Sequence, residues 1–415
     1  MKFDQYHIYD GIKKAIAKEG YKKPTDIQFK SIPPILKGED VLAIAQTGTG
    51  KTAAFAIPIL HLLQERKIKG RADGVKCLVM APTHELAQQI EKVFQSLGKH
   101  TSITVFCIHG GVNQDPQIQK INEGIDILIA TPGRLFDLVH QDVLRLHRIE
   151  ILVLDEADHM LDLGFIKDIQ DLMKFIPKHR QTLFFSATIN EYIKKIAYSL
   201  VKNAIRIQLS PKNPVAKNIE HAVAYVAMDD KRFFLENLIK THEPHKLLVF
   251  VRTKVRAERV KKAMERVNIQ ADTIHSDRVQ KDREAIMKSF RGGQLNILIA
   301  TDISARGIDI PNVDYVVNYD MPETSENYVH RVGRTGRGRE KGKAVSFCST
   351  EEQEKLKEIE NNLSKPIQKI NLSKGEYSIV LDSSEASHSD WKSLIKEAEI
   401  EQQKVEAIKK KRKKR

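Results

Sequence analysis

Short runs of branched apolar residues recur through this chain, and each is followed by a polar stretch long enough for a helix. In the first half they begin at Val41, Lys76, Ile103, Ile125, Ile151 and Thr182 and run four to six residues apiece. A strand that is apolar at nearly every position is buried on both faces, the situation of a parallel sheet covered by helices on either side. The stretch 210–218 breaks the rhythm with two prolines among polar residues, a loop composition. The runs then resume at Lys246, Ile297, Tyr315 and Ala344. This pattern predicts an α/β chain with two domains of mostly parallel sheet covered by helices, residues 1–209 and 219–370. Residues 210–218 are the linker, and 371–415 a polar extension ending in a basic tail.

Composition narrows the class. Of 415 residues, 41% are hydrophobic and 29% charged, enough for real cores and unlike a disordered chain. No apolar run approaches the roughly 18 residues needed to span a bilayer, so no membrane partner is expected. The first twenty residues lack the continuous apolar segment of a secretory signal. Cys77, Cys107 and Cys348 stand far apart with no CxxC, which argues against disulfides or a zinc site and for a reducing, cytoplasmic setting. The net charge is +14, from 68 basic and 54 acidic residues. Residues 409–415 are all basic and supply half of it. Such a tail is either a solvated appendage or a tether for an anionic partner, nucleic acid above all.

Two motifs carry chemistry. Ala45-Gln46-Thr47-Gly48-Thr49-Gly50-Lys51-Thr52 follows an apolar strand and precedes an apolar helical stretch, the context of a phosphate-binding loop. Its glycines let backbone N–H groups curl around phosphates at a helix N-terminus. Lys51 would reach the β- and γ-phosphates of a bound nucleotide, and the Thr52 hydroxyl would sit on Mg²⁺. Asp155-Glu156-Ala157-Asp158 begins where the strand 151–154 ends, and ligands of such sheets bind at the carboxyl ends of strands. Asp155 is the expected metal carboxylate and Glu156 the group that orients or deprotonates the attacking water.

Taken in order, these and further motifs resemble the DEAD-box ATP-dependent RNA helicases of superfamily 2. The set includes Gly20-Tyr21 through Gln28, Pro82-Thr83-His84-Glu85-Leu86, Gly110-Gly111, Thr131-Pro132-Gly133-Arg134 and Ser186-Ala187-Thr188. In the second half come Gln280 and Arg283, Ala300-Thr301-Asp302, Arg306 to Asp309, and His330-Arg331 through Arg334 to Arg337. The compact size and short basic extension are similar to bacterial members of the RhlE-like kind. The resemblance implies two tandem RecA-like domains that close on one another when ATP and RNA are bound. It implies that Tyr21 stacks on adenine, Gln28 reads its edge, and Asp309 approaches the ribose. Ser186 and Thr188 would couple the γ-phosphate to the domains, which His330 and Arg331 would link. Arg334 and Arg337 would be arginine fingers.

The same resemblance carries RNA contacts onto Thr83, Gly111, Thr131, Arg134, Gln280, Arg283 and Thr301. Hydroxyls, backbone N–H groups and arginines suit phosphate and sugar, so binding independent of base sequence is expected. His84 stands where the family has arginine, replacing a permanently charged fork by an imidazole. Either this weakens a phosphate or ion-pair contact and makes RNA affinity more pH-dependent than in relatives, or the replacement is neutral and compensated nearby. The implied activity is RNA-stimulated ATP hydrolysis driving local, non-processive duplex unwinding and ribonucleoprotein remodelling. A DNA translocase of the same superfamily is one rival, against which the Tyr21/Gln28 element and Ser-Ala-Thr count. An ATP-gated RNA clamp that anchors partners is the other.

Overall fold

The computed structural model describes residues 2–45, 48–68, 74–189, 191–209, 215, 219–242, 245–275, 277–302, 313–336, 341–363 and 366–382, with Gln280 described by its backbone alone. Apart from Val215, the expected linker lies outside these residues, and so do residues 383–415 with the basic tail.

Two seven-stranded sheets organise the chain. The first contains β1 (Val41–Ile44), β2 (Cys77–Met80), β3 (Val105–Ile108), β4 (Ile127–Ala130), β5 (Ile151–Leu154), β6 (Gln181–Ser186) and β7 (Ile205–Gln208). Their order across the sheet is β3-β4-β2-β5-β6-β1-β7. The second contains β8 (Ile219–Tyr225), β9 (Leu247–Phe250), β10 (Asp272–Ile274), β11 (Ile297–Ala300), β12 (Tyr315–Asn318), β13 (Gly342–Cys348) and β14 (Gln368–Ile370). Here the order is β10-β11-β9-β12-β13-β8-β14. Every strand pairing among the described residues is parallel, as the continuous apolar runs predict.

Alternate residues of each strand enter opposite cores. Val41, Ala43, Cys77 and Val79 pack with Ile12, Phe55 and Phe94 on one side, while Leu42, Leu78, Met80 and Leu128 pack with Leu135, Leu172 and Ile196 on the other. The second sheet is divided in the same way. Burying both faces is why these strands carry almost no polar side chains. Because the strands are parallel, their carboxyl ends lie together. Ile44 is paired with Ser186, and Leu154 with Phe184, so the turns after β1, β5 and β6 become neighbours at one sheet end.

Packing continues past residue 370. The helix Lys374–Asp382 lays Tyr377 against Phe234 with ring centroids 4.8 Å apart. The Tyr377 hydroxyl donates to Asp230 (2.8 Å) and accepts from the Ala227 N–H (3.1 Å). Among the described residues, no helix is long and apolar enough to cross a membrane, and all three cysteines are buried free thiols.

Candidate active site

The loop after β1 feeds the helix Lys51–Ile68. Gly48 and Gly50 have φ of +78° and +91°. At Gly50 a Cβ would come within 2.5 Å of Gln28 Nε2, so only glycine fits there. Gln28 explains the closeness: its Nε2 donates to the Gly50 carbonyl (3.2 Å), while its Oε1 accepts from the Thr25 N–H (3.0 Å). The carboxamide thus ties the Tyr21–Gln28 segment to the loop and keeps one N–H and one lone pair for another partner. Lys51 is buried and donates to the Ala45 carbonyl (2.9 Å). Gln46 and Thr47 lie outside the described residues.

Asp155 and Glu156 follow β5 directly and face this loop. Glu156 caps the short helix Ala157–Asp162 with φ 48° and ψ 48°, left-handed backbone in a residue with a full side chain. Such strain costs on the order of 1–2 kcal/mol and persists where surrounding structure imposes it, often at functional sites. Its N–H donates to Asp155 Oδ1 (3.0 Å). Burial pushes the Asp155 carboxyl up to about 6 against the pull of Lys51, and the Glu156 charge adds to the rise. Burial acts on Glu156 as well, but His159, Lys51 and Arg334 outweigh it and hold it down at about 2.

Asp155 is therefore a buried anion with incomplete compensation, the condition a hard divalent cation relieves. Its carboxylate and the Thr52 hydroxyl are suitable oxygen donors for Mg²⁺. Among the described residues no group of three or more His, Cys, Asp or Glu is placed to hold a metal, so substrate phosphate and water would fill most of the shell, as is usual for this ion.

Asp158, which sequence reasoning left without a role, joins the acidic element to the turn after β6. Its Oδ2 accepts from the Ala187 N–H (3.2 Å), the Thr188 N–H (2.9 Å) and Thr188 Oγ1 (2.9 Å). Ser186 Oγ donates to the Thr188 carbonyl (2.6 Å). The available signal was its place as the fourth residue of the acidic tetrapeptide.

The second sheet contributes across the gap. Arg334 is buried, and its Nε donates to the His330 carbonyl (3.3 Å). With Tyr21, Gln28, Lys51, Thr52, Asp155 and Glu156 it lines a cleft of about 760 Å³, within the usual range for small-molecule sites. Arg331, expected to link the domains, is occupied inside the second one. It makes a bidentate pair with Asp302 (2.6 and 2.8 Å) and donates to Asn318 Oδ1 (3.2 Å) and the Asp320 carbonyl (2.7 Å). Asp309 and Arg337 lie outside the described residues.

The expected RNA-contacting residues gather at carboxyl ends of strands and starts of helices. Thr83 caps the helix His84–Leu97, with Oγ1 accepting from the Leu86 N–H (3.3 Å). Thr131 precedes the helix Pro132–His140, from which Arg134 donates to the Val112 carbonyl (2.9 Å) beside Gly111. Thr301 follows β11, and Gln280 opens the helix Gln280–Arg291. Arg283 on that helix pairs with Glu85 at 2.6 Å, bridging the two domains. The His84 ring lies 4.9 Å from that of His109.

Comparison with known proteins shows what this chain is related to. The DEAD/DEAH box helicase family matches residues 25–196, and the Helicase conserved C-terminal domain matches residues 230–339. The chain is 40% identical over 370 residues to the ATP-dependent RNA helicase RhlB of Shewanella oneidensis, covering 88% of this chain and 84% of that protein. It is 37% identical over 369 residues to the ATP-dependent RNA helicase CshA of Listeria monocytogenes, covering 89% and 70%. S. cerevisiae Dbp5 bound to RNA and ADP BeF3 superposes with a TM-score of 0.82 at 30% identity, over 92% of this chain and 99% of that one. Mss116p bound to ssRNA and AMP-PNP gives 0.82 at 28% identity, over 96% and 85%.

Proposed function

The chain belongs to the DEAD-box ATP-dependent RNA helicases, and we propose that single-stranded RNA, held across both domains, completes its ATP site and so stimulates hydrolysis. The observation that carries this is Arg334, which stands with Lys51, Asp155 and Glu156 in one cleft although the other domain bears it. A guanidinium so placed stabilises charge developing on the transferred phosphoryl group, typically worth about 10³–10⁵ in rate. Arg337 would serve beside it.

In this mechanism the backbone from Ala45 to Gly50 cradles the phosphates and Lys51 neutralises them. Tyr21 stacks on adenine, Gln28 reads its edge with the N–H and lone pair it retains, and Asp309 meets the ribose. Glu156, held ionised by the surrounding cations, orients the attacking water and accepts its proton. Thr52 and Asp155 would hold Mg²⁺, which supplies charge neutralisation on the phosphates. Asp158 ties this acidic element to Ala187 and Thr188, and through the Thr188 carbonyl to Ser186, so a shift at the phosphates reaches the domain boundary.

RNA binds through Thr83, Gly111, Thr131, Arg134, Gln280, Arg283 and Thr301, by phosphate and sugar contacts that carry no base information. Because those residues come from both domains, RNA favours the closed arrangement by differential affinity, and closure finishes the active site. The clamp bends one strand and expels its complement locally, giving short-range, non-processive unwinding and ribonucleoprotein remodelling. The functional units are residues 1–209 and 219–370, with 210–218 as linker and 371–415 as extension.

ATP turnover measured with and without single-stranded RNA, alongside displacement of a short duplex, tests this. Glu156→Gln should bind ATP and RNA yet barely hydrolyse, and Lys51→Ala should lose ATP binding. Turnover indifferent to RNA, or stimulated equally by DNA, would sink the proposal.

A further inference from the structure

A second cleft between the domains, of about 320 Å³, is lined by Thr188 and His159 from one side and by Asp302, Asn327 and His330 from the other. His159 lies on the helix Ala157–Asp162 and is 3% exposed, and neither ring nitrogen has a hydrogen-bond partner. Asn327 lies on the helix Ser325–Val332, and its side-chain oxygen is likewise buried and unpartnered. Each such atom costs about 1–3 kcal/mol, so two of them from opposite domains on one small cleft call for a common partner.

His159 also reaches the catalytic centre. Its Nδ1 is 3.6 Å from Glu156 Oε2, one helical turn back, close enough for electrostatic attraction but too long for a hydrogen bond. In a neutral imidazole one nitrogen donates and the other accepts, and the bond made by one fixes the role of the other. If Nε2 accepts a hydrogen, Nδ1 must carry one and present it to Glu156.

We propose that His159 and Asn327 are a cross-domain positioning pair for Glu156, joined by one water in this cleft. The water donates one hydrogen to His159 Nε2 and the other to Asn327 Oδ1. That satisfies both orphaned acceptors and locks the Nδ1–H tautomer toward the Glu156 carboxylate. The cleft has room for a water and polar residues on both walls; His159 Nε2 and Asn327 Oδ1 are themselves closed to solvent, so a small rotation of each side chain toward the cleft is part of the proposal. Only when both domains stand together is the relay complete, so closure is reported to Glu156 from behind as well as through Arg334. This rests on the proposed role of Glu156.

The test is steady-state ATP turnover at saturating RNA in the full chain, for His159→Leu, Asn327→Leu and the double variant, with Glu156→Gln as reference. Each single change should lower kcat about tenfold through misplacement of the water-orienting carboxylate, with KM for ATP and half-saturating RNA unchanged. The double variant should be no slower than the slower single. Asn327→Asp keeps an acceptor oxygen and should retain at least half of kcat, and His159→Gln, which keeps a donor and an acceptor, should turn over faster than His159→Leu. Independent losses that multiply to about a hundredfold, an unchanged kcat, or a rise in KM in its place would overturn the pair. Should His159→Leu fail to fold by thermal melting, the contrast between Asn327→Asp and Asn327→Leu decides alone. If Glu156→Gln hydrolyses like the wild type, the proposed mechanism fails first, a result distinct from failure of the pair.

Discussion

The pair between Arg283 and Glu85 is where the domains hold each other most directly, and its disruption has a calculable effect. Both side chains are mostly buried, at 16% and 14% exposure, with 2.6 Å between Nη2 and Oε1. The contact is a close ion pair whose angles miss those of a hydrogen bond, and a close, mostly desolvated charge pair between two surfaces contributes on the order of 1.5–3 kcal/mol. Because the partners belong to different domains, that stabilisation exists only when the domains are together. At about 1.4 kcal/mol per tenfold, Glu85→Gln should reduce the closure equilibrium roughly 10- to 150-fold. Where the closed state is a minor one without RNA, apparent RNA affinity falls by the same factor. The assay is the RNA concentration giving half-maximal ATP turnover. It should rise by that factor, while turnover at saturating RNA is largely retained. Arg283→Gln should raise it at least as far, because it removes an RNA contact as well, and the exchange Glu85→Arg with Arg283→Glu should recover the share of the loss that belongs to the ion pair. If Glu85→Gln leaves half-saturation within twofold of wild type while Arg283→Gln raises it strongly, Arg283 acts on RNA phosphate alone and the clasp is not what holds the domains.

Three further outcomes are expected. Lys231 is wholly buried between Glu352 (2.5 Å) and Asp320 (4.0 Å), while Arg252 lies 3.2 Å from Glu352 and Arg256 3.3 Å from Asp320, so Lys231→Met should cost about 1.5–3 kcal/mol in denaturant melts by removing one of two cationic partners. Burial alone would raise Glu352, but Lys231 outweighs it and holds the carboxyl below its ordinary value. That stabilisation is complete above the unfolded value of about 4.3 and is lost as pH falls through the lower folded value, so Lys231→Met should flatten the acid limb of the stability curve. RNA affinity should improve more from pH 8 to pH 6 in the wild type than in His84→Arg, because only the imidazole gains charge over that interval; equal gains would show that His84 does not contact phosphate. Deleting residues 409–415 should lower the slope of log affinity against log salt by up to about 5 for single strands, leaving turnover at saturating RNA intact; a collapse of that turnover would place the tail in the engine.

What the sequence disclosed follows from burial. The strands read in advance, such as β2, β5 and β11, are buried on both faces and so could not hide their apolarity. Those that escaped lie at or next to sheet edges. β7, Ile205-Arg-Ile-Gln208, and β14, Gln368-Lys-Ile370, are mostly exposed, β10 has three residues, and β8 mixes Glu220 and His221 into its run. Edge strands tolerate polar residues, so their periodicity is weak. The residues of the phosphate-loop and acidic motifs that line the candidate site were legible because each motif is contiguous. Roles set by tertiary partners were not. Nothing in the string of residues showed that Gln28 bonds Gly50, that Arg331 is committed to Asp302, or that Arg283 would find Glu85.

The left-handed backbone of Glu156 bears on how this enzyme can be improved or can drift. Glycine adopts φ 48° without penalty and asparagine with little, so either one would relax the main chain at the residue proposed to orient the attacking water. A library screened for heat resistance alone would enrich those substitutions and return sturdier, inert proteins. Thermostable variants that still turn over ATP must draw their gains from elsewhere in the chain and carry residue 156 as a fixed liability.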